Sequence, residues 1–277
     1  MTGMLFISLL VGGERSARAS SDTEQQINII AEEAVKNLVF VPGGSFKLGY
    51  APSGTVTTLD DFYMSKYTVT AGDLLYYMQL YDIEPITEYT INLGKKFYLE
   101  AKKVPYLPAR ANWEQANNYC AWLGNVTGLK FALPTDAQWE YAARSAGKHT
   151  NYATDSGYYD FINTPLGSKK RLFNYWYGVS SGWKHYFPDD YFPPNPLGLY
   201  GMINNGEEWV MDWYAPDEVA ASDASGRNPT GPEQPYYADE SDEYLYHAKA
   251  KRSGSNSGPT SVYSRNGFSY KHDYYAT

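Results

Sequence analysis

An α+β fold with little regular secondary structure, organised as a single domain, is the architecture that this chain of 277 residues predicts. Three observations carry that expectation. Aromatic residues make up 17% of the chain, 28 of them tyrosines, while runs of Leu, Ile and Val are few. The 24 glycines and 16 prolines are scattered along the whole length, which favours irregular connections pinned by rings over long helices. One stretch, 111–147, reads as helix, short strand and second helix in close succession, and no internal repeat or Gly/Ser-rich linker divides the chain. At 43% apolar and 19% charged, the composition supports a sizeable core.

Taken in order, residues 1–19, "MTGMLFISLLVGGERSARA", carry a short apolar stretch from Met4 to Val11. Ala17-Arg18-Ala19 follows and fits the small-x-small rule for leader cleavage. The basic start usual in such leaders is missing. The stretch is too short to span a bilayer and no other segment approaches that length, so no stable membrane insertion is expected. A signal peptide over 1–19, an N-terminal segment over 20–37 with a helical pattern from Thr23 to Lys36, and one domain over 38–277 are the expected divisions. The implied location is the bacterial periplasm or the exterior.

"LVFVPGGSFKLGY" alternates apolar and polar residues around Pro42-Gly43-Gly44 and predicts a β-hairpin, with more strand in "LDDFYMSKYTVT". Thr70 is placed to cap a helix carrying Leu74, Leu75 and Met78 on one face. Asn112 is placed to cap another, with Ala116, Tyr119, Cys120 and Leu123 recurring at three and four residues and Gly124 or Gly128 ending it. "KFALPT" predicts a short strand, and Thr135 opens a helix carrying Trp139, Ala142 and Ala143. Little regular structure is expected from Gly157 to Pro196. "GLYGMINNGEEWVMDWY" reads as a turn feeding a strand, and 215–246 as a long acidic loop. Cys120, the single cysteine, has no internal partner and reads as a buried, inert thiol on its helix.

A formal net charge of −8 argues against a nucleic-acid partner, since neutralising phosphates requires a basic face, and leaves room for a basic protein.

"FVPGGSFKLG", "FYMSKYTVT", "NWEQANNYCAWLGNVTGLKFALPTDAQWEYAAR", "FPPNPLGLYGMINNGEEWVMDWY", "NPTGP", "RSGSN" and "NGF" follow one another in this order. In that series the sequence resembles the formylglycine-generating enzyme/sulfatase-modifying factor family, whose fold is an elaborated C-type-lectin-like fold. Most of the shared residues read as scaffold. Trp113, Trp122, Trp139, Tyr141, Trp209 and Trp213 can hold an irregular chain together by area burial. Glu140 and Arg144, four apart, have the spacing of a helical ion pair.

The resemblance implies an active-site segment in which an Arg-Gly-Gly-Ser-aromatic turn precedes two cysteines that hold copper, a task for soft sulfur donors. Laid over it, "RSGSNSGPTSVY" places Gly258 and Tyr263 where the cysteines belong. Ser253 and Asn256 stand where the second glycine and the aromatic belong. The site is thus vestigial, no catalytic residue is assigned and no copper is expected. A related branch uses histidine-held iron. Here His149, His185, His247 and His272 lie far apart, none with a ligand-like neighbour at i+3 or i+4.

The family also implies two calcium sites. The first corresponds to Asn174, Tyr175, Ser181 and Trp183, with Ser181 where a carboxylate is expected. The second corresponds to Gly201, Asn204, Gly206 and Glu208, with Gly201 where a side-chain oxygen is expected. Each has lost one side-chain ligand, and the alternative for Glu208 is a carboxylate bonding backbone amides in its turn. Without catalysis, a stiff scaffold with Tyr-rich loops suits protein recognition, Tyr175, Tyr177, Trp183, Tyr186, Tyr191, Tyr244 and Tyr246 being the candidate contacts. The expected function is a non-catalytic, protein-binding member, such as an immunity protein neutralising a toxin or an accessory factor for an exported enzyme. An oxidative tailoring enzyme without copper and a ligand-display lectin-like variable protein are the alternatives.

Overall fold

The computed structural model describes residues 13–50, 54–83, 104–158, 188–203, 205–215, 225–236, 248–254 and 261–269. Among the described residues, four helices, α1 (Gly13–Lys36), α2 (Ala71–Leu80), α3 (Trp113–Thr127) and α4 (Asp136–Ala143), accompany eight strands in three small sheets. β1 (Leu38–Val41) pairs antiparallel with β4 (Phe62–Ser65). β2 (Gly44–Leu48) pairs antiparallel with β3 (Thr55–Leu59), which runs parallel to the two-residue β6 (Gly226–Arg227). β5 (Gly206–Trp213), β7 (Ala248–Gly254) and β8 (Asn266–Ser269) form an antiparallel sheet in that order. The mixture of short helices and short strands is the expected α+β class.

Capping fixes where the helices begin. Thr70 Oγ1 accepts from the Asp73 backbone N–H at 3.2 Å, starting α2. Asn112 and Gln115 exchange side-chain to backbone bonds at 2.8 and 3.2 Å at α3, and Thr135 and Gln138 do the same at 3.2 and 2.9 Å at α4. Gly128 ends α3 at φ 70°, the left-handed stop. Helix α1, which spans most of 20–37, is docked: Ile30 is buried with Leu74, Tyr77, Met78, Tyr119, Trp122 and Leu123. A second cluster places Trp139, Ala142 and Ala143 of α4 against Leu199, Met202, Val210 and Ala250, and a third puts Tyr141 against Val41, Phe46 and Leu48. Among the described residues no helix is long and apolar enough to cross a membrane.

Two strand expectations are corrected. β1 and β2 exist but do not form a hairpin across Pro42-Gly43-Gly44; the chain leaves one sheet there and enters another. Neither glycine has the positive φ that two-residue hairpin turns demand. Gly43 instead lies against the β3–β4 connection: its N–H donates to Asp61 Oδ1 at 2.7 Å, and a Cβ on it would stand 2.5 Å from the Leu59 carbonyl oxygen. "KFALPT" is not a strand either. It meets β5 through one backbone bond, Met211 N–H to the Pro134 carbonyl at 2.8 Å. Pro134 has no N–H to return, and α4 is capped by the very next residue, so no ladder develops.

Gly43 is therefore a packing glycine, not a turn glycine. Gly43→Ala, whose backbone alanine tolerates, is expected to lower stability by about 1–3 kcal/mol through the Leu59 contact, measured by urea denaturation.

Candidate functional site

The segment that the resemblance assigns to the active site lies on β7 and the loop after it. Arg252 is fully buried there. Its Nε and a terminal nitrogen bond Asp136 on the first turn of α4, that terminal nitrogen also reaches Glu140 Oε2 at 3.0 Å, and the other donates to the Val262 carbonyl at 3.1 Å. Glu140 Oε1 in turn accepts from Arg144 Nε at 2.9 Å and from the Gly49 N–H at 2.8 Å, while Arg144 donates to the Gly49 and Thr150 carbonyls, each at 2.9 Å. The Glu140–Arg144 pair is thus buried and networked, stronger in context than an exposed i,i+4 pair. Arg265 adds a contact of 3.2 Å to Asp136. Burial pushes Asp136 up, but the Arg252 and Arg265 guanidiniums outweigh it and hold the carboxyl below its ordinary range. Asp212, which accepts from the Asp136 N–H at 2.8 Å, is pushed up to about 7, by burial first and by the Asp136 charge second.

Two lysines alternate with these residues. Lys249 Nζ lies 4.3 Å from the Trp113 ring centre and 3.7 Å from that of Trp213, and donates to the Met211 carbonyl at 2.8 Å. Burial pulls its amine down to about 8, and the two indole faces cradle the charged form. Lys251 pairs with Glu207 at 2.8 Å over the Trp209 ring.

The turn itself is altered. Ser253, standing where the resemblance expects glycine, sits at φ 61°, opposite Glu207 in the ladder. Its hydroxyl is buried with no hydrogen-bond partner. Tyr263, in the place of a thiolate, packs its ring 5.1 Å from that of Tyr50 in an edge-on contact. Gly258 and Asn256 lie outside the described residues, as do His185, His247 and His272; His149 is exposed. Cys120 belongs to α3 and is half-buried where a buried residue was expected; burial of its thiol still pushes the pKa up to about 12, so thiolate is scarce at neutral pH. Among the described residues no three His, Cys, Asp or Glu side chains gather as a metal site.

The calcium expectations divide. Asn174, Tyr175, Ser181, Trp183 and Asn204 lie outside the described residues. Glu208 Oε2 accepts from the Trp139 indole N–H at 2.9 Å, so the alternative of a carboxylate bonding backbone amides is corrected: its donor is an indole. Oε1 is buried without a partner, and burial pushes the carboxyl up to about 8. Gly201 has φ +73°, and a Cβ on it would stand 2.7 Å from Asp189 Oδ1. Asp189, on the 3-10 turn Asp189–Tyr191, is buried and is held by Thr68 and Asn205. Burial keeps its carboxyl above the usual range. The donors on Asp189 and on Glu208 Oε2 leave a single orphaned carboxylate oxygen, Glu208 Oε1, in this corner, which by itself is too few for the six to eight oxygen ligands of calcium. Sequence reasoning missed Asp189 and Asn205; the doubled Asp189-Asp190 before "YFPPN" was the available signal.

Of the candidate partner-binding side chains only Tyr191 is described, at the edge of exposure and ring to ring with Phe192 at 5.2 Å; Tyr175, Tyr177, Trp183, Tyr186, Tyr244 and Tyr246 lie outside. The structure brings forward others. Phe40 and Tyr63, paired across β1 and β4, are 48% and 63% exposed with ring centres 5.4 Å apart, and Tyr50 is 61% exposed. The unbroken apolar run of β1 offers no alternation from which the outward face of Phe40 could be read, and Tyr50 lies just past the end of β2.

Residues 24–269 match the family described as Sulfatase-modifying factor enzyme 1-like domain. The formylglycine-generating enzyme of Bos taurus is 31% identical over 133 residues, 44% of this chain and 30% of that protein. The chain therefore spans about a third of that relative's length. The chaperone protein LppX of Paenibacillus barcinonensis is 27% identical over 220 residues, 66% of this chain and 74% of its own. The structure of PvdO from Pseudomonas aeruginosa superposes with a TM-score of 0.59 at 22% identity, covering 86% of this chain and 90% of that one, a likeness of fold.

Two outcomes follow from the geometry of β7 and its neighbours. Ser253→Gly relieves a left-handed non-glycine and removes an unsatisfied buried hydroxyl, and is expected to raise stability by about 1 kcal/mol or more in urea melts. Asp212, with its folded pKa raised, keeps its proton in the folded state while the unfolded chain releases it. Its contribution is therefore full below about pH 4 and is lost as pH rises towards 7. Asp212→Asn should remove that loss, so its stability relative to the parent should grow by about 1 kcal/mol or more between pH 4.5 and 8, read as the change in Tm difference.

Proposed function

The chain belongs to the family of sulfatase-modifying factor enzyme 1-like domains, and from that premise we propose that it is a non-catalytic, protein-binding member, exported by a bacterium, that serves an exported enzyme as an accessory factor. The observation that carries this reading is Tyr263. A phenol packed on Tyr50 stands where the resemblance expects a copper-binding thiolate, and the one thiol of the chain is on α3, with burial pushing its pKa up to about 12. Neither tyrosine nor glycine offers the soft donor that copper(I) chemistry requires.

The binding half of the reading is supported by surface chemistry. Phe40, Tyr63 and Tyr50 present rings on short, paired strands or beside them, so little side-chain entropy is lost when a partner covers them. A net charge of −8 favours a basic partner in the encounter. The relative whose name describes a chaperone aligns over more of this chain than the bovine formylglycine-generating enzyme does, 66% against 44%.

The test has two arms. Purified protein is titrated with copper(I) against a chromogenic chelator and incubated with oxygen and a cysteine-bearing sulfatase-type peptide; neither tight copper binding nor formylglycine is expected. The tagged chain is then used to capture partners from envelope extracts, with Phe40→Ala/Tyr63→Ala and Tyr50→Ala alongside. A specific exported protein recovered by the parent and lost by the variants supports the reading. Formylglycine produced with turnover, or no specific capture, overturns it.

A further inference from the structure

The register of the β1–β4 ribbon decides which of its backbone groups face away from it. Lys66 N–H donates to the Asn37 carbonyl at 2.7 Å, so along the pairs Leu38↔Ser65 to Val41↔Phe62 the hydrogen-bonded positions continue at Val39/Met64 and Val41/Phe62. Leu38 and Phe40 are therefore the non-bonded positions of β1. Their N–H and C=O groups point away from β4, along the other edge of the strand. The sheet has no third strand, and among the described residues no backbone group pairs with Leu38 or Phe40 on that edge. Phe40 and Tyr63 stand together on the solvent face of the ribbon, while Val39, Val41, Phe62 and Met64 pack into the core on the other.

Exposed edges are ordinarily shielded by charge, proline or a bulge. β4 is bracketed by Asp61 and Lys66, whereas β1 reads Leu-Val-Phe-Val, with no charge and no proline until Pro42 ends it. Length and charge say what such an edge takes. Four residues of strand run for about 13 Å, a strip that covers far less than the roughly 1,200 Å² of a stable interface between folded proteins. Two copies of the chain, each of net charge −8, also repel one another. An extended segment suits the strip better than a second copy does. At one end of it Asp61 stands opposite Pro42 in the continued register. Its carboxylate is exposed, accepts the Gly43 N–H at 2.7 Å, and is paired with no cation among the described residues. A basic side chain on the added segment would complement it.

We propose that the free edge of β1 binds an extended segment of the partner as an added strand, its backbone pairing with Leu38 and Phe40, an apolar side chain lying beside Phe40 and a basic one reaching Asp61. Backbone bonds supply the affinity, and the alternate side chains supply the selectivity. This inference rests on the protein-binding reading and specifies the form in which the partner is recognised, a short basic and apolar strand instead of a folded face.

The test pans the whole chain against phage-displayed random dodecapeptides and measures a synthetic copy of an enriched sequence by fluorescence anisotropy. Enriched peptides should carry apolar residues at alternate positions and Lys or Arg towards one end. Methylating the peptide's backbone amides one at a time should weaken binding by about tenfold or more at every second position and leave the positions between within about threefold, because only alternate N–H groups face β1. Leu38→Pro removes one edge N–H and spares both rings and the β4 ladder; it should weaken the peptide by about tenfold while Leu38→Ala does not, with circular dichroism checking the fold. Asp61→Asn should weaken it by about threefold, and added salt should act in the same direction. No enriched peptide, methylation effects that do not alternate, or light scattering that shows a dimer lost in Phe40→Ala overturns the proposal. A folded exported protein captured through Phe40 and Tyr63 while no peptide binds would remove this inference and leave the protein-binding reading standing; loss of both capture and peptide binding would remove the two together.

Discussion

The buried chain of charges Arg252–Asp136–Glu140–Arg144 is the constraint from which the rest of the described architecture takes its positions. It fastens β7 to the first two turns of α4, and through Arg144 and Glu140 it fixes Gly49 at the end of β2 and Thr150 beyond α4. Fully buried ions gain little net stability over a well-packed apolar substitute, so their value lies in geometry. Removing one partner would strand the others without water. A domain with so little ladder has few other means of setting the register of a C-terminal strand against a helix more than a hundred residues away.

Indole N–H groups are the second device. Trp113 at the start of α3 donates to the Val210 carbonyl of β5, and Trp209 of β5 donates to the Ala111 carbonyl just before α3, each at 2.9 Å. Two large rings thereby clip the same pair of segments from both sides, joining area burial to a directed bond in each case. Trp139 extends the pattern to Glu208. In an irregular fold these clips stand where a sheet would use continuous backbone pairing. The abundance of aromatics is thus explained by connection as well as by packing.

What could be read in advance was local chemistry. Thr70, Asn112 and Thr135 announced their helices because capping needs only residues three apart, and Gly128 announced an end for the same reason. The family resemblance, the α+β class and the scaffold role of Trp122, Trp139 and Trp209 were legible too. The hairpin at Pro42-Gly43-Gly44 was not, because its outcome depends on what Gly43 meets at Leu59, a contact invisible along the chain. The strand expected at "KFALPT" was lost to the cap that follows it. At the candidate site, Glu208 was found and its indole donor was not, while Asp189 was missed because its relation to Gly201 exists only through space. Ser253 kept the left-handed turn that a glycine would have made easy, so its backbone shape survived a change that its side chain resists.

Cys120 has a practical consequence. A lone thiol whose proton leaves only near pH 12 reacts with maleimides slowly at neutral pH, since the thiolate is the attacking species. The natural chain is therefore a quiet background for labelling. A cysteine introduced on the Phe40–Tyr63 face or beside the Asp189 turn could carry a fluorophore or spin probe selectively, and distances could be followed in solution without first mutating the native sulfur.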